Sequence, residues 1–234
     1  EHKLVSTKKL PVLNFDKKID PRNLARQITL LQNNGVQKIR KSNKNTIPVI
    51  GLTGTGGAGK STVCDRLVQY FTMTNPSKTI AIISIDPSKR KTGGALLGDR
   101  IRMNAINHSN VFMRSLATRT DKSSISDSIN DVIDLCKAEG FDAIIIETAG
   151  VGQNDSSIVD HVTIPIYVMT PEFGAPTQLE KINMIDYAQI IAINKFDRIG
   201  GLDAIIDVRK QFRRSRHSWN ADVSSMPIFG TIAS

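Results

Sequence analysis

The chain has 234 residues, a formal net charge of +9, 40% hydrophobic and 23% charged residues, and two cysteines. This composition is that of an ordinary globular protein and excludes an intrinsically disordered chain, a collagen-like repeat and a disulfide scaffold. No apolar run reaches the ~18 residues that span a bilayer, and no signal peptide opens the chain, so we expect a cytoplasmic protein with no membrane partner.

The amino-terminal segment 1–46 is predicted to be a basic arm with one helix. Residues 1–48 hold eleven of the 31 Lys/Arg residues but three of the 22 acidic residues. Such an arm binds phosphate groups or an acidic protein surface, or it is simply a solvated linker. Aromatic residues are not interleaved with the basic ones, so nucleic acid is not expected as a partner.

The helix in this arm is predicted to begin at Asp20, a capping residue followed by Pro21. Leu24, Ile28 and Leu31 recur at helical spacing and form a narrow apolar stripe, and Gly35 marks the stop. One short helix cannot form a core, so we expect it to pack on the main body or on a neighbour. Residues 40–46 read as a linker, and 47–234 form the main domain.

From residue 47 onwards strands and helices alternate. The predicted strands are 47–53, 79–85, 111–116, 142–148, 162–168, 190–194 and 226–230, and the predicted helices are 60–73, 98–107, 123–139, 177–187 and 202–217. Several strands are continuous β-branched runs, which indicates a parallel sheet with helices on both faces. The fold class is therefore α/β, a three-layer sandwich with a mostly parallel sheet. Pro165 inside a strand suggests an edge or a bulge.

The first functional motif lies between strand 47–53 and helix 60–73 and fits Gly-x-x-x-x-Gly-Lys-Ser/Thr. Its members are Gly54, Thr55, Gly56, Gly57, Ala58, Gly59, Lys60 and Ser61, and Thr62 follows them in the helix. Glycines allow backbone N–H groups to converge on phosphate oxygens at a helix amino terminus. Lys60 would neutralise the β- and γ-phosphates, and the Ser61 hydroxyl would bind Mg²⁺. The motif predicts a nucleoside phosphate ligand, and together with the α/β pattern it predicts a P-loop NTPase sandwich.

A second motif selects the base. Asn194-Lys195-Phe196-Asp197 follows strand 190–194 and fits Asn-Lys-x-Asp. The Asp197 carboxylate can accept both N–H groups on the Watson–Crick edge of guanine, which adenine does not offer. Asn194 would tie this loop to the phosphate loop, and the stem of Lys195 would cover the base. The sequence favours GTP and GDP over ATP.

The segment Glu147-Thr148-Ala149-Gly150-Val151-Gly152-Gln153 follows strand 142–148. Glu147 can hold Mg²⁺ or its water shell, and the Gly150 N–H can meet the γ-phosphate. With Asp86-Pro87-Ser88 and the run Thr92–Met103, this segment resembles the methylmalonyl-CoA mutase-associated GTPases, which are G-protein chaperones of adenosylcobalamin enzymes. The resemblance covers about residues 47–234.

A finer resemblance is to the GTPase domain of the fused isobutyryl-CoA mutases, where it lies between a cobalamin-binding domain and a mutase barrel. It rests on Thr55–Ala58, on Phe196 and on the ending 226–234. It implies cobalamin-binding and mutase domains as partners, an adenosyltransferase, and a homodimeric parent. The chain carries no Asp-x-His-x-x-Gly cobalamin signature and no initiator Met, so we expect an excised middle domain that does not itself bind adenosylcobalamin. Ala233 would offer its N–H to the guanine oxygen.

The resemblance also implies individual roles. Asp86 and Asp99 would be acidic, Mg²⁺-linked residues of the first switch, Glu147 would join the metal shell, and Gln153 would position water. The alternatives are a turn residue for Asp86, a helix cap for Asp99 and a polar surface residue for Gln153. Residues 169–178 resemble the third switch of the family, or are a plain connector.

Three other functions stay open. A nickel-insertion GTPase needs clustered ligands, whereas the histidines are scattered (His2, His108, His161 and His217) and the cysteines are 72 positions apart. A partitioning-type ATPase carries a lysine where this chain has Thr55, and it would leave Asn194–Asp197 unexplained. A nucleotide-gated interaction module with little hydrolysis is compatible with every motif.

Overall fold

A computed structural model describes residues 20–34, 47–87, 103–118, 128–148, 150, 156–217, 219 and 222–233, with the backbone alone for 86–87 and 117–118. Asp99, Gln153 and Gly35 lie outside the described residues, as do most of the run Thr92–Met103 and residues 1–19.

The described residues form one seven-stranded sheet in which every neighbouring pair of strands is parallel. The strands are β1 Val49–Gly54, β2 Ile80–Pro87, β3 Val111–Thr118, β4 Ala143–Thr148, β5 Ile164–Met169, β6 Ile190–Asn194 and β7 Ile228–Thr231. Their order is β3-β2-β4-β1-β5-β6-β7. All seven predicted strands are confirmed, with ends shifted by at most two residues. β1 lies in the middle, so the loop after it opens at the centre of the carboxyl edge, where α/β sheets bind ligands.

The α-helices among the described residues are α1 Pro21–Asn34, α2 Lys60–Thr74, α3 Ile129–Ala138, α4 Pro176–Leu179, α5 Met184–Tyr187 and α6 Gly201–Ser215. In β2 and β4, alternate residues face opposite sides of the sheet. Ile83 and Ile146 pack under α1 and α3, whereas Ile82 and Ile145 pack under α2. The three-layer α/β fold is thereby confirmed.

Two helix predictions were wrong in extent. The predicted helix 177–187 is broken into α4 and α5 by a turn at 180–183, and Leu179, Ile182 and Ile185 all lie in one core cluster. Of the predicted helix 98–107, only 103–107 is described, and there it is a single short turn at Ala105–Asn107. The described part of the predicted helix 123–139 is helical from Ile129.

Pro165 does not mark an edge or a bulge, since β5 lies between β1 and β6. Its carbonyl accepts a hydrogen bond from the backbone N–H of Gln189 at 2.8 Å, one residue before β6 begins. In a strand, the N–H and C=O groups of one residue point to the same side. The position where Pro165 lacks an N–H therefore faces the residues before β6. No hydrogen bond between β5 and β6 is lost there, because β6 has not yet begun.

The helix of the amino-terminal arm packs on the main body. Leu24, Ile28 and Leu31 are buried in the cluster that includes α3 and the sheet. A guanidinium N–H of Arg114 on β3 also donates to the Thr29 hydroxyl at 2.8 Å. The basic segment 1–46 thus contributes to the core through α1.

Replacing Ile28 by alanine is expected to lower the free energy of unfolding by about 2–5 kcal/mol, because its side chain is fully buried and leaves a cavity. The measurement is urea unfolding followed by circular dichroism. Arg26→Ala, at an exposed position of the same helix, is the control and should change stability by less than about 0.5 kcal/mol. Equal effects of the two substitutions would contradict this packing of α1.

Candidate functional site

The phosphate-loop motif lies where the sequence predicts it, between the end of β1 and the beginning of α2. Lys60 is the first residue of α2 and is 7% exposed. Its Nζ donates to the backbone carbonyls of Gly54 at 3.2 Å and Thr55 at 3.1 Å. Ser61 and Thr62 complete the first turn of α2. The loop thus wraps around the lysine ammonium group at the positive end of a helix, an arrangement that suits a phosphate chain.

An oxygen-rich pair lies beside this lysine. The Ser61 hydroxyl donates to Oε1 of Glu147 at 2.6 Å, although the two residues are 86 positions apart. Glu147 is 2% exposed, near the end of β4, level with Leu52 on β1 and Ser84 on β2. A hydroxyl and a carboxylate at this point are the oxygen ligands that Mg²⁺ prefers. The residues present therefore fit a magnesium ion next to the phosphate loop.

The segment after β4 passes directly over the phosphate loop. A Cβ added to Gly150 would lie 2.8 Å from the Gly56 Cα and 3.1 Å from the Lys60 Nζ. Only a residue without a Cβ permits this close approach of the two backbones. The contact of the Gly150 N–H with a γ-phosphate stays a prediction. Asp86 lies on β2, two residues beyond the level of Glu147, while Asp99 and Gln153 belong to segments that are not described.

The base motif is bound to the phosphate loop by hydrogen bonds. Asn194 is 1% exposed and donates from Nδ2 to the carbonyl of Ala58 at 2.8 Å. Its Oδ1 accepts the Thr231 hydroxyl at 3.2 Å and the backbone N–H of Ala233 at 3.1 Å. Lys195 donates to the Gly57 carbonyl at 2.8 Å. Asp197 is exposed, which leaves its carboxylate accessible to a base.

The structure thus brings together the phosphate loop, Glu147, Gly150, Asn194, Lys195, Asp197 and Ala233. One difference concerns Ala233, which the sequence assigns to the guanine oxygen and whose N–H here donates to Asn194. The guanine contact of Ala233 stays a prediction.

Two contacts near the site carry no sequence signal. The Asp65 carboxylate on α2 is buried and accepts the backbone N–H of Ala105 at 2.8 Å and the amide of Gln69 at 2.7 Å. An acidic residue on a helix is ordinarily solvated, so its link to a residue 40 positions away cannot be read from spacing. Arg198, just after the base motif, pairs with Glu172 in the 169–178 segment.

Electrostatics around these groups follow from burial and hydrogen bonding. The pKa of the Cys64 thiol on α2 is raised by burial first, and then by the neighbouring carboxylates of Glu147 and Asp65. The thiol therefore stays protonated and is a core residue. The pKa of Glu172 is lowered to about 2, mainly by the Thr170 hydroxyl, with its own backbone N–H and Arg198 contributing less.

Replacing Asn194 by alanine should weaken GTP binding on the order of 10-fold or more and destabilise the domain by about 1–3 kcal/mol. The substitution leaves the buried polar groups around it without partners. Nucleotide titration and urea unfolding check the two effects. Asn183→Ala, at an exposed position, should change neither. Unaltered GTP affinity in Asn194→Ala would mean that the two loops act independently.

The fold and the site together define a P-loop NTPase with a guanine-type base loop. A profile of the methylmalonyl-CoA mutase-associated GTPase MeaB matches residues 24–227, and the chain belongs to this family. Membership implies guanine-nucleotide binding.

None of the helices in the described stretches has the length and apolarity needed to cross a membrane.

Individual relatives agree with this family. The fused isobutyryl-CoA mutase of Cupriavidus metallidurans is 55% identical over 92% of this chain, which covers 20% of that protein. The mitochondrial methylmalonic aciduria type A homolog of Mus musculus is 31% identical over 74% of the chain and 41% of its own length. The chain spans about a fifth of the length of the fused mutases that it matches. It is homologous to their GTPase domain.

Among solved structures, HypB from Helicobacter pylori in complex with nickel is similar in fold, with a TM-score of 0.56 and 16% identity over 91% of this chain and 86% of HypB. At this identity the likeness concerns the fold alone. Within the part of the chain that is described, no group of three or more His, Cys, Asp or Glu residues could hold a metal ion. The nickel-insertion alternative therefore gains no support from the described residues.

Proposed function

We propose that residues 47–234 form a Mg²⁺-dependent GTP hydrolase that gates the loading and release of adenosylcobalamin on an acyl-CoA mutase. The observation that carries the nucleotide part is the hydrogen bond from Asn194 to the phosphate loop. This bond joins the Asn-Lys-x-Asp loop to the phosphate loop and so fixes the distance between them. A fixed distance is needed if the two loops are to bind the base and the phosphates of the same nucleotide. The mutase part rests on homology with the fused isobutyryl-CoA mutases.

In the proposed reaction, water attacks the γ-phosphorus, the bond to the β–γ bridging oxygen breaks, and GDP and phosphate leave. Lys60 stabilises the charge that develops on the phosphate oxygens, and the Gly150 N–H binds the γ-phosphate. Ser61 and Glu147 would hold Mg²⁺, with Asp86 and Asp99 completing its surroundings. Bound there, the ion would neutralise charge on the β- and γ-phosphates. Gln153 would position the attacking water.

The base is held by the second half of the site. The Asp197 carboxylate accepts the two guanine N–H groups, Lys195 covers the ring, and the Ala233 N–H turns to the guanine oxygen. Without a nucleotide, the Ala233 N–H donates to the Asn194 Oδ1. When guanine binds, this N–H would leave the Asn194 oxygen and donate to the guanine oxygen.

The wider assignment concerns partners. Cobalamin-binding and mutase domains would read the nucleotide state through the first switch and through residues 169–178, and an adenosyltransferase would supply the cofactor. The parent would be a cytoplasmic homodimer in which this chain is a middle domain, with 1–46 as its basic arm. Binding and loss of GTP would bias two loop arrangements that accept or release adenosylcobalamin.

The test is steady-state GTP hydrolysis by this chain, alone and with an adenosylcobalamin-loaded acyl-CoA mutase that carries no GTPase domain of its own, added as a separate protein. ATP is the nucleotide control and EDTA the metal control. A GTP-specific, EDTA-sensitive rate that changes with the mutase supports the proposal. GTP binding without turnover under any condition would support the nucleotide-gated module instead, and turnover of ATP would exclude the assignment of Asp197.

A further inference from the structure

The base loop, Asn194–Asp197, leaves β6 through a disfavoured backbone conformation. Lys195 has a φ of 58°, in the left-handed region that residues with a side chain rarely adopt. Such a conformation persists only where the surrounding structure holds it. Asp197 is exposed, so burial of its own side chain does not fix its position. The residue between these two, Phe196, is half-buried and packs against the core cluster under α6.

The ring of Phe196 lies directly on the backbone of β7. A Cβ added to Gly230 would lie 2.6 Å from Cγ and Cδ2 of Phe196 and 2.7 Å from Cδ1. Nearly equal distances to three ring atoms place this Cβ over the face of the ring. Gly230 does not have a positive φ. Glycine is therefore needed here for the space that the ring occupies, and not for its backbone freedom.

A second glycine makes room for the backbone of the same residue. A Cβ added to Gly201, the first residue of α6, would overlap the Phe196 carbonyl oxygen and would lie 3.2 Å from Cδ2. On the opposite side, the Phe196 N–H donates to the Thr231 carbonyl at 3.1 Å. Phe196 is thus held by its ring, its N–H and its carbonyl between β7 and the beginning of α6.

The contacts of Phe196 continue to the phosphate loop. Thr231, whose carbonyl accepts the Phe196 N–H, also donates from its hydroxyl to Oδ1 of Asn194 at 3.2 Å. Asn194 in turn donates to the Ala58 carbonyl in the phosphate loop. A continuous series of contacts therefore connects the phosphate loop with the residue that directly precedes Asp197.

We propose that Phe196 is a positioning residue for base recognition. Its ring, seated on Gly230, fixes the direction in which Asp197 presents its carboxylate to guanine. This inference rests on the proposed function. Two oxygens can accept two N–H groups of one base only if both are correctly directed, because hydrogen bonds weaken steeply with misalignment. Without the ring, Lys195 can leave the left-handed region, and Asp197 moves with it.

The test is the ratio of the affinities for GTP and for inosine triphosphate, measured by competition titration. Inosine lacks only the exocyclic amine of guanine, so this ratio reports one of the two contacts of Asp197. The unchanged chain should prefer GTP by about 10- to 100-fold, the contribution of a hydrogen bond to a charged group. Phe196→Ala should bring the two affinities to within about threefold of each other, and Phe196→Tyr, which keeps the ring, should retain the preference.

The matched control is Phe229→Ala, which removes a ring that is 54% exposed from the residue next to Gly230. It should leave the ratio unaltered. A loss of stability alone would weaken the binding of both nucleotides equally, and it would not change the ratio either. Thermal unfolding checks that every variant is folded.

Gly230→Ala provides a second measurement that leaves Phe196 in place. The added Cβ would displace the ring, so the preference for GTP should fall by at least about fivefold. In the Phe196→Ala background the same substitution should change the ratio by less than twofold, because the ring that it displaces is already gone. If Phe196→Ala does not fold, the ratio of Gly230→Ala decides alone.

The outcomes separate this inference from the proposed function. If the unchanged chain prefers GTP and the folded Phe196→Ala or Gly230→Ala protein retains that preference within twofold, the positioning role is wrong and the proposed function stands. If the unchanged chain binds GTP no better than inosine triphosphate or ATP, the guanine assignment of the proposed function fails, and the role of Phe196 fails with it.

Discussion

Replacing Lys60 by alanine is expected to lower GTP turnover on the order of 10²–10³-fold, the largest loss among single substitutions in this site. The ammonium group is nearly buried and is already directed into the phosphate loop by the carbonyls of Gly54 and Thr55. Its charge would balance the oxygens of the β- and γ-phosphates, and a charge-assisted bond in a water-poor loop is stronger than one in solvent. Phosphate release at saturating GTP gives the turnover number.

The same substitution should also weaken GTP binding, which fluorescence titration with a labelled GTP analogue measures. Lys78→Ala removes an exposed lysine from the turn before β2 and serves as the control. Lys60 also holds two backbone carbonyls of the loop, so thermal unfolding must show that Lys60→Ala is folded before its binding is interpreted. A folded Lys60→Ala protein that retains GTP affinity within threefold and unchanged turnover would exclude the loop as the phosphate site.

Local patterns were sufficient for the sheet and for the two nucleotide loops. A buried parallel strand needs a short β-branched run, and Ile144, Ile145 and Ile146 form one regardless of distant contacts. The phosphate loop is likewise local, because its glycines, Lys60 and Ser61 act through backbone groups of one turn. The order of the strands required the structure, since chain order alone does not place β1 between β4 and β5.

The sequence did not reveal contacts between residues that are far apart in the chain, or local structure that depends on packing. Leu179, Ile182 and Ile185 lie at helical spacing and enter one cluster, so periodicity alone predicts a continuous helix and does not reveal the break between α4 and α5. Pro165 was misassigned because only the position of Gln189 reveals that its side of the strand needs no donor. The bonds from Ser61 to Glu147 and from Asp65 to Ala105 join residues 86 and 40 positions apart. From sequence alone, the polar side chains of Ser61, Glu147 and Asp65 would each be expected to face solvent.

Asp197→Asn is expected to change which nucleotide the chain prefers. Guanine presents two neighbouring N–H donors, at N1 and at the exocyclic amine, and the two carboxylate oxygens of Asp197 can accept both. A carboxamide offers one acceptor and one donor, so its NH₂ group would meet a guanine N–H. The lost charge-assisted pair and the opposed donors should weaken GTP binding on the order of 100-fold.

Xanthine carries a carbonyl oxygen where guanine carries its exocyclic amine, and it keeps the N1–H. The carboxamide of Asp197→Asn matches this edge, with its oxygen accepting N1–H and its NH₂ group donating to the new carbonyl. Xanthosine triphosphate should therefore bind the variant better than GTP, whereas the unchanged chain prefers GTP. Competition titrations with both nucleotides measure the ratio. Asp203→Asn, an equal loss of charge in the first turn of α6, should leave the ratio unaltered. A folded Asp197→Asn protein that still prefers GTP over xanthosine triphosphate would show that Asp197 does not read the base.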